Sequence, residues 1–331
     1  MVLGTFIATF AYCLMVLRAV NGIEDHQFVP ELAITTGIGL ALISLGVLIY
    51  FIHHIATSIQ AGSVISNVGI EMHSAIKRLY PVNIGEEEAN VPITDEDSII
   101  ADFSQSPTII KATKSNYLQS IDSDKLFSLA VKHQLILKIH YRPGQFVLEG
   151  AELVCAWPAE KMGYRITDSI LGSFFFGPRR TLTQDLEFAI DQLVEVAVRA
   201  LSPGINDPFT AISCIDRLSA AIVELSTKQF PSSLRYDEDA HLRVMAKVSS
   251  PADIIDAAFH QIRQASRSNT ATTLRLLDTF QRLLKHQLPS TFRRSILHHA
   301  ELVYLSSQNG LSESWDRNEA KRHYEFIDLN N

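Results

Sequence analysis

RTLTQDLEFAIDQLVEVAVRALSPGINDPFTAISCIDRL, residues 180–218, decides how the second half of this 331-residue chain folds. Leu186, Ile190, Leu193, Ala197 and Leu201 recur at the spacing of an amphipathic helix, with Thr183 as the expected N-cap. Ala211, Ile215, Leu218, Ile222 and Leu225 repeat the pattern further on. Between the two stripes Pro203 cannot continue a helix, Gly204 suits a left-handed C-terminal turn, and Asp207 followed by Pro208 reads as an N-cap with proline at N1. Pro203, Gly204 and Pro208 therefore mark a corner between two packed helices, which needs no functional explanation.

The polar residues around that corner do need one. Arg199, Ser202, Asn206, Asp207 and Asp216 share the turn, and Arg179, Arg180 and Asp185 precede it closely in sequence. Buried Arg and Asp groups are costly unless paired, so the set is a structural ion-pair network, an interface, or the wall of a small-ligand or catalytic site. Glu195 and Arg199 have the favourable i,i+4 order of a helix-surface pair.

Working toward the N-terminus, GSFFFGPRRTLTQD (172–185) leads back from a region rich in β-like runs: PTIIKA, YLQSID, LILKIHY, QFVLEG and AELVCAW. DSDKLFSLAVKH reads as a short helix capped by Asp122 or Ser123. RPGQF (142–146) supplies the chemistry of a hairpin turn. GQFVLEGAELVCAW resembles half of a biotinyl or lipoyl carrier motif; no second half follows near Lys161, and two glycine turns around a buried strand pair account for it.

Upstream again, NIGEEEANVPITDED is an acidic linker without periodicity. HHIATSIQAGSVISNVGIEMHSAIKRLYP carries one stripe through Ile52, Ile55, Ile59, Gly62, Ser66 and Gly69, and a second through Ile65, Val68, Met72, Ile76 and Leu79. These predict a helical stalk, packed against another subunit or against its own domain. His53 and His54 are adjacent on a helix, point about 100° apart, and cannot easily share a metal ion.

Residues 32–52, LAITTGIGLALISLGVLIYFI, carry no charge and meet the length of about 20 residues that spans a bilayer core of about 30 Å. Residues 2–20 form a second apolar stretch broken only by Arg18, which near a helix end can snorkel to the headgroups. A signal peptide would want a basic region before the apolar run, and here Met1 leads straight into it. The intervening loop holds Glu24, Asp25 and Glu31 without Lys or Arg, whereas Lys77 and Arg78 follow the second span, so the positive-inside bias places the C-terminal part in the cytoplasm.

Beyond the corner, Ser250-Pro251 with Asp253, Asn269 or Thr270, and Ser290 open three more helices, the last stopped by Gly310. SESWDRNEAKRHYEF is a short terminal helix. His286, His298 and His299 are expected on solvated faces. With 36 Asp+Glu against 29 Lys+Arg, nucleic acid is not an expected partner. Cys13, Cys155 and Cys214 lack the spacing of a disulfide framework or zinc site. No nucleophile elbow, Walker loop, dinucleotide fingerprint or zincin motif occurs, so no cofactor, metal or catalytic residue is assigned.

The expected fold class is α+β: a transmembrane helical hairpin (1–57, spans 2–20 and 32–52), a helical stalk (58–81), an acidic linker (82–98), a small β-rich cytosolic domain (99–178) and an α-helical bundle (179–331). VLGTFIATFAYCLMVLRAV, LIYFIHHIATSIQ, YLQSID, RPGQFVLEG and above all residues 180–218 resemble an uncharacterised bacterial membrane-protein family, domain of unknown function 2254. The resemblance covers nearly the whole chain. It implies a bacterial inner-membrane protein with a cytosolic C-terminal part, no established activity, and a further pair of spans upstream of those seen here.

The expected function is non-enzymatic, as a channel-like, transport-associated or sensing assembly. Its partners are the lipid bilayer and further copies of the chain, joined through the stalk and the membrane helices. The alternative is a membrane-anchored enzyme or small-ligand module using Arg180, Asp185, Asn206 and Asp207.

Overall fold

The computed structural model describes residues 2–19, 21–23, 26–28, 31–58, 61–80 and 106–329. The expected acidic linker, 82–98, lies outside the described residues, as do the side chains of His53 and His54. The protein is mixed α+β and forms two compact units, Met1–Val64 and Ile65–Asn331.

In the first unit α1 (Val2–Ala19) packs beside α2 (Glu31–Ser58), and two short antiparallel strands, β1 (Asn21–Ile23) and β2 (His26–Phe28), occupy what reads in the sequence as a plain loop. The helices meet through a buried Thr9–Ser44 hydroxyl pair at 2.7 Å and through Tyr12, whose hydroxyl donates to the Ala33 carbonyl. Gly37 lies against the Tyr12 ring, the close approach that small residues permit between apolar helices. Residues Glu31–Ile52 of α2 are long and apolar enough to cross a membrane. The apolar part of α1, Gly4–Arg18, is shorter; at 1.5 Å per residue it reaches about 22 Å.

The second unit begins inside α3 (Ala61–Leu79). Ile65, Val68, Met72 and Ile76 are buried, and Gly69 sits against the Arg217 side chain. The expected stalk is therefore, from Ile65 onward, part of the core of its own unit, the second of the two packings its stripe allows. Its apolar stripe finds a partner within the same chain.

Two sheets follow. The larger has strand order β3 (Thr108–Lys111), β7 (Glu152–Trp157), β5 (Ile136–Ile139), β10 (Leu242–Ala246), β9 (Leu234–Tyr236); β10 runs parallel to β5 and the other neighbours are antiparallel. The smaller has order β6 (Phe146–Val147), β4 (Asn116–Ile121), β8 (Phe174–Gly177). RPGQF is thus a turn between sheets and not a hairpin, because β5 pairs with β7 and β10 while β6 pairs with β4. For the same reason the expected strand pair in GQFVLEGAELVCAW does not form. The alternation of each strand sends Leu118, Leu137, Val154 and Val244 into one core with Leu126 and Ala130 of α4 (Ser123–His133) and Ile170 of α5 (Tyr164–Leu171). Asp122 caps α4 by accepting the Lys125 N–H.

β9 and β10 come from the stretch expected to be wholly helical. The 178/179 division therefore does not separate two bodies; one unit contains both sheets and the helices that follow. These are α6 (Leu186–Ala200), α7 (Pro208–Ser226), α8 (Pro251–Ser266), α9 (Thr270–Leu284), α10 (Ser290–Gly310) and α11 (Ser314–Leu329). Asp185, not Thr183, caps α6. Ser250 and Asp253 form a reciprocal capping box on α8, Asn269 caps α9, and α10 follows Pro289 without a side-chain cap.

The corner 201–207 has the expected proline start and Asp207 cap, with Oδ1 accepting the N–H groups of Phe209 and Thr210 and Oδ2 the Thr210 hydroxyl. The left-handed residue is Asn206, φ 48°, and not Gly204. Asparagine tolerates that region, and its N–H returns to the Ser202 carbonyl at 2.9 Å. Asp207→Ala should then cost about 1 kcal/mol of stability, while Gly204→Ala, which meets nothing within 4 Å, changes the melting temperature little or raises it. A larger loss for Gly204→Ala than for Asp207→Ala in thermal melts would contradict this account of the corner.

His299 is buried, against expectation. It lies beside the edge-to-face pair Phe259–Phe280, its Nε2 is 2.7 Å from Asp256 Oδ1, and its Nδ1 has no hydrogen-bond partner. Burial pulls its pKa below the ordinary value although Asp256 pulls the other way. Below about pH 6.5 the unfolded chain binds this proton and the folded chain resists it, so stability falls as pH drops. His299→Gln should flatten the change in melting temperature between pH 7 and pH 5; an unchanged slope would show that another group carries it.

Candidate functional site

The predicted polar set does not assemble as one group. Arg179 is exposed and its carbonyl accepts from Gln119. Arg199 pairs at the surface with Glu195, and Ser202 donates to the Arg199 carbonyl. Asp216 is held by the guanidinium of Arg275 on α9, which donates to both carboxylate oxygens. Asn206 and Asp207 serve the corner itself.

Arg180 and Asp185 do come together. The Arg180 guanidinium donates from Nε and Nη2 to the two Asp185 oxygens at 2.7 and 3.0 Å, from Nη1 to Asp191 at 2.6 Å, and lies over the Phe188 ring. Burial alone would lower the Arg180 pKa; hydrogen bonds and charge from Asp185 and Asp191 outweigh it and hold the guanidinium protonated. Asp185 Oδ1 also accepts the Phe188 N–H. One nearly buried carboxylate thus caps a helix and neutralises an arginine at once.

The RPGQF turn closes over this pair. Gly144, φ 94°, brings its backbone against Asp185, and Arg142 forks onto Glu187, donating to both carboxylate oxygens and to the Ser249 hydroxyl. Ser249 in turn donates to Glu187 at 2.8 Å. Gln184 pairs with both the N–H and the carbonyl of Ile121, and Arg78 donates to the Leu182 carbonyl. Three segments remote in sequence are locked side by side: the 142–144 turn, the 180–187 entry to α6, and Ser249 between β10 and α8.

Beneath them lies a cavity of about 250 Å³, bounded by Tyr80, Arg142, Asp185, Arg235, Lys247 and Ser249 among others. The Tyr80 hydroxyl is pushed up to about 12 by burial and by Glu187, so it remains a proton donor at neutral pH. Arg142 and Asp185 are already neutralised. Arg235, half-buried, and Lys247, exposed, have no hydrogen-bonded or ion-paired side-chain partner among the described residues.

A family model described as "Predicted membrane protein (DUF2254)" matches residues 1–282, and so covers every residue of this cavity. The chain belongs to this family. Its DUF2254 match stops within α9, so α10 and α11 lie beyond it. Similar chains include an uncharacterised protein of Mycobacterium bovis and one of Mycobacterium tuberculosis (strain H37Rv), each 29% identical over 321 residues, 96% of this chain and 60% of the relative. A third, from M. tuberculosis strain CDC 1551, is 28% identical over the same share. The chain spans 60% of the length of these curated relatives. No solved structure matches it.

Of the expected set the structure brings Arg180 and Asp185 together; Tyr80, Arg142, Glu187, Arg235, Lys247 and Ser249 are not in that set. Arg142 is 45 residues from Glu187 and 107 from Ser249, separations that no helical or strand period reports. The RPG turn was the available signal. It reads as a hairpin only because its partner strands are not visible in the sequence.

Proposed function

We propose that this DUF2254 protein is a membrane-anchored, non-enzymatic binding module whose cavity takes a small molecule bearing an acidic group. The observation that carries this reading is the pair Arg235 and Lys247 on the cavity wall, two cations without an ion-paired carboxylate among the described residues, while the neighbouring charges neutralise one another. A cavity of this size suits a compact ligand at or below the small end of ordinary pockets, which run from about 300 Å³. Binding fits better than catalysis because the carboxylate–hydroxyl pair at the cavity's edge, Glu187 with Ser249, is already taken up by the Arg142 fork.

In this reading α1 and α2 both cross the bacterial inner membrane and the Ile65–Asn331 unit is cytoplasmic, supported by the acidic 21–31 connection and by Lys77 and Arg78 after the second span. Coupling of ligand occupancy to membrane helices suits a sensing or transport-associated assembly of several copies. Reporter fusions at the C-terminus test the orientation, and mass determination in detergent tests the oligomer.

Small phosphates and carboxylates, from inorganic phosphate to nucleoside monophosphates, should be screened by thermal shift. Arg235→Ala should weaken any hit about tenfold or more, the scale of a charge-assisted hydrogen bond, without lowering the melting temperature of the free protein. A panel that gives no shift, or a hit indifferent to both Arg235→Ala and Lys247→Ala, would reject the reading.

A further inference from the structure

On the face of the five-stranded sheet opposite the main core, alternation places Lys138, His140, Cys155, Trp157 and Met245. Glu152, three positions before Cys155, would by strict alternation point to the other face. It does not, because β7 carries a bulge: Ile110 pairs with Val154 and Lys111 with Glu152, leaving Leu153 as the extra residue. The bulge turns Glu152 onto the face of Cys155 and His140, the kind of re-aiming that bulges perform beside functional groups.

The result is three donor atoms, an imidazole nitrogen, a carboxylate oxygen and a thiol sulfur, all within 4.8 Å of one another. His140 Nε2 lies 3.3 Å from Cys155 Sγ. A tetrahedral zinc-type ion, with bonds of about 2.3 Å to sulfur and about 2.0 Å to nitrogen, separates such a pair by about 3.5 Å. The imidazole and thiol are therefore already at ligand spacing, and Glu152, exposed at the strand's start, has only a side-chain rotation to make. A depression lined by His140 and Glu152 together with Tyr141, Gln145 and Lys247 adjoins two of the three.

We propose that His140, Glu152 and Cys155 form a site for a borderline divalent transition-metal ion of zinc type, with the fourth position open to water toward that depression. Thiolate, carboxylate and neutral imidazole around a dication give a complex of no net charge, so the ammonium groups of Lys138 and Lys247 nearby are compatible with it. Three protein ligands and one open position is the arrangement of a site that presents its ion to a further molecule. Binding displaces the Cys155 thiol proton to solvent, so affinity rises with pH. The inference is independent of the anionic-ligand cavity, since none of the three ligands lines it.

The test uses the full chain in detergent, stripped with a chelator and titrated with cobalt(II), then with zinc(II) as competitor. The expected result is about one equivalent bound, a thiolate-to-cobalt charge-transfer band, and its displacement by zinc. Cys155→Ser should abolish the band. Glu152→Gln, at an exposed position that cannot compromise the core, should keep the band and weaken affinity at least tenfold. Asp237→Asn, in the separate Asp237–Asp239–His241 turn, should leave the cobalt band and affinity unchanged. No charge-transfer band, cobalt affinity unaltered in Glu152→Gln and His140→Ala, or binding lost only in Asp237→Asn would overturn the proposal and leave the His140–Cys155 contact as a simple hydrogen bond.

Discussion

Arg180→Ala is expected to destabilise the folded protein by about 3–5 kcal/mol, the cost of leaving a buried carboxylate without its cation. Asp185 is only 5% exposed, and its two oxygens take both arms of the Arg180 fork. Asp191, 41% exposed, loses the same partner at little cost because water replaces it. The origin of the loss can be isolated with a second change. Asn is as good an N-cap as Asp, so Arg180→Ala combined with Asp185→Asn keeps the α6 cap and removes the stranded charge. The double variant should recover most of the stability lost by Arg180→Ala alone, as read from chemical or thermal unfolding. If the double variant is no better than the single one, the guanidinium stabilises through its packing over Phe188 and not through charge.

Gly144→Ala should cost about 2–4 kcal/mol, from a backbone that β-carbon-bearing residues rarely adopt and from overpacking. At φ 94° an added Cβ would stand 2.2 Å from Asp185 Oδ2 and 2.5 Å from its Cγ, so either the turn or the carboxylate must move. Gly150 provides the internal control. Its φ is 81°, yet nothing lies within 4 Å of its would-be Cβ. Gly150→Ala therefore reports backbone strain alone, about 1–2 kcal/mol, and the excess seen at Gly144 reports the contact with Asp185. Equal melting temperatures for the two variants would mean the RPG turn does not bear on the Arg180–Asp185 pair.

What could be read in advance follows from the range of each signal. Helix caps and stripes act over three or four residues, and the α6–α7 corner, the Ser250–Asp253 box and the Asn269 cap were all visible for that reason. The α3 stripe shows a buried face but not its partner, because periodicity tells that a face is buried and not against what. Strand pairing acts at long range. RPGQF carries genuine turn chemistry, yet whether its flanks pair with each other or with β4 and β10 depends on residues up to a hundred positions away. Length does not hide β8 and β10, which are no shorter than β3 and β5; β9 and β10 are hidden by their place between two strongly helical stretches. His299 was misplaced because a histidine amid Ile296, Ala300 and Val303 was given the bland solvated reading. Its neighbours Phe259 and Phe280 come from two other helices. At the site, Arg180 and Asp185 stand only five residues apart in sequence, whereas Arg142, Arg235, Lys247 and Ser249 enter only once the sheet has brought their strands together.

That sheet also sets an order of events during synthesis. Val244 of β10 lies parallel to Leu137 of β5, so the centre of the larger sheet stays an open edge until roughly another hundred residues, including all of α6 and α7, have been made. The helical corner is thus an insertion between two neighbouring strands. A nascent chain released before residue 246 would expose an unpaired β5 edge beside two helices whose apolar faces are already made. Such an open edge is a template for wrong pairing, and the final strand is the latch that retires it.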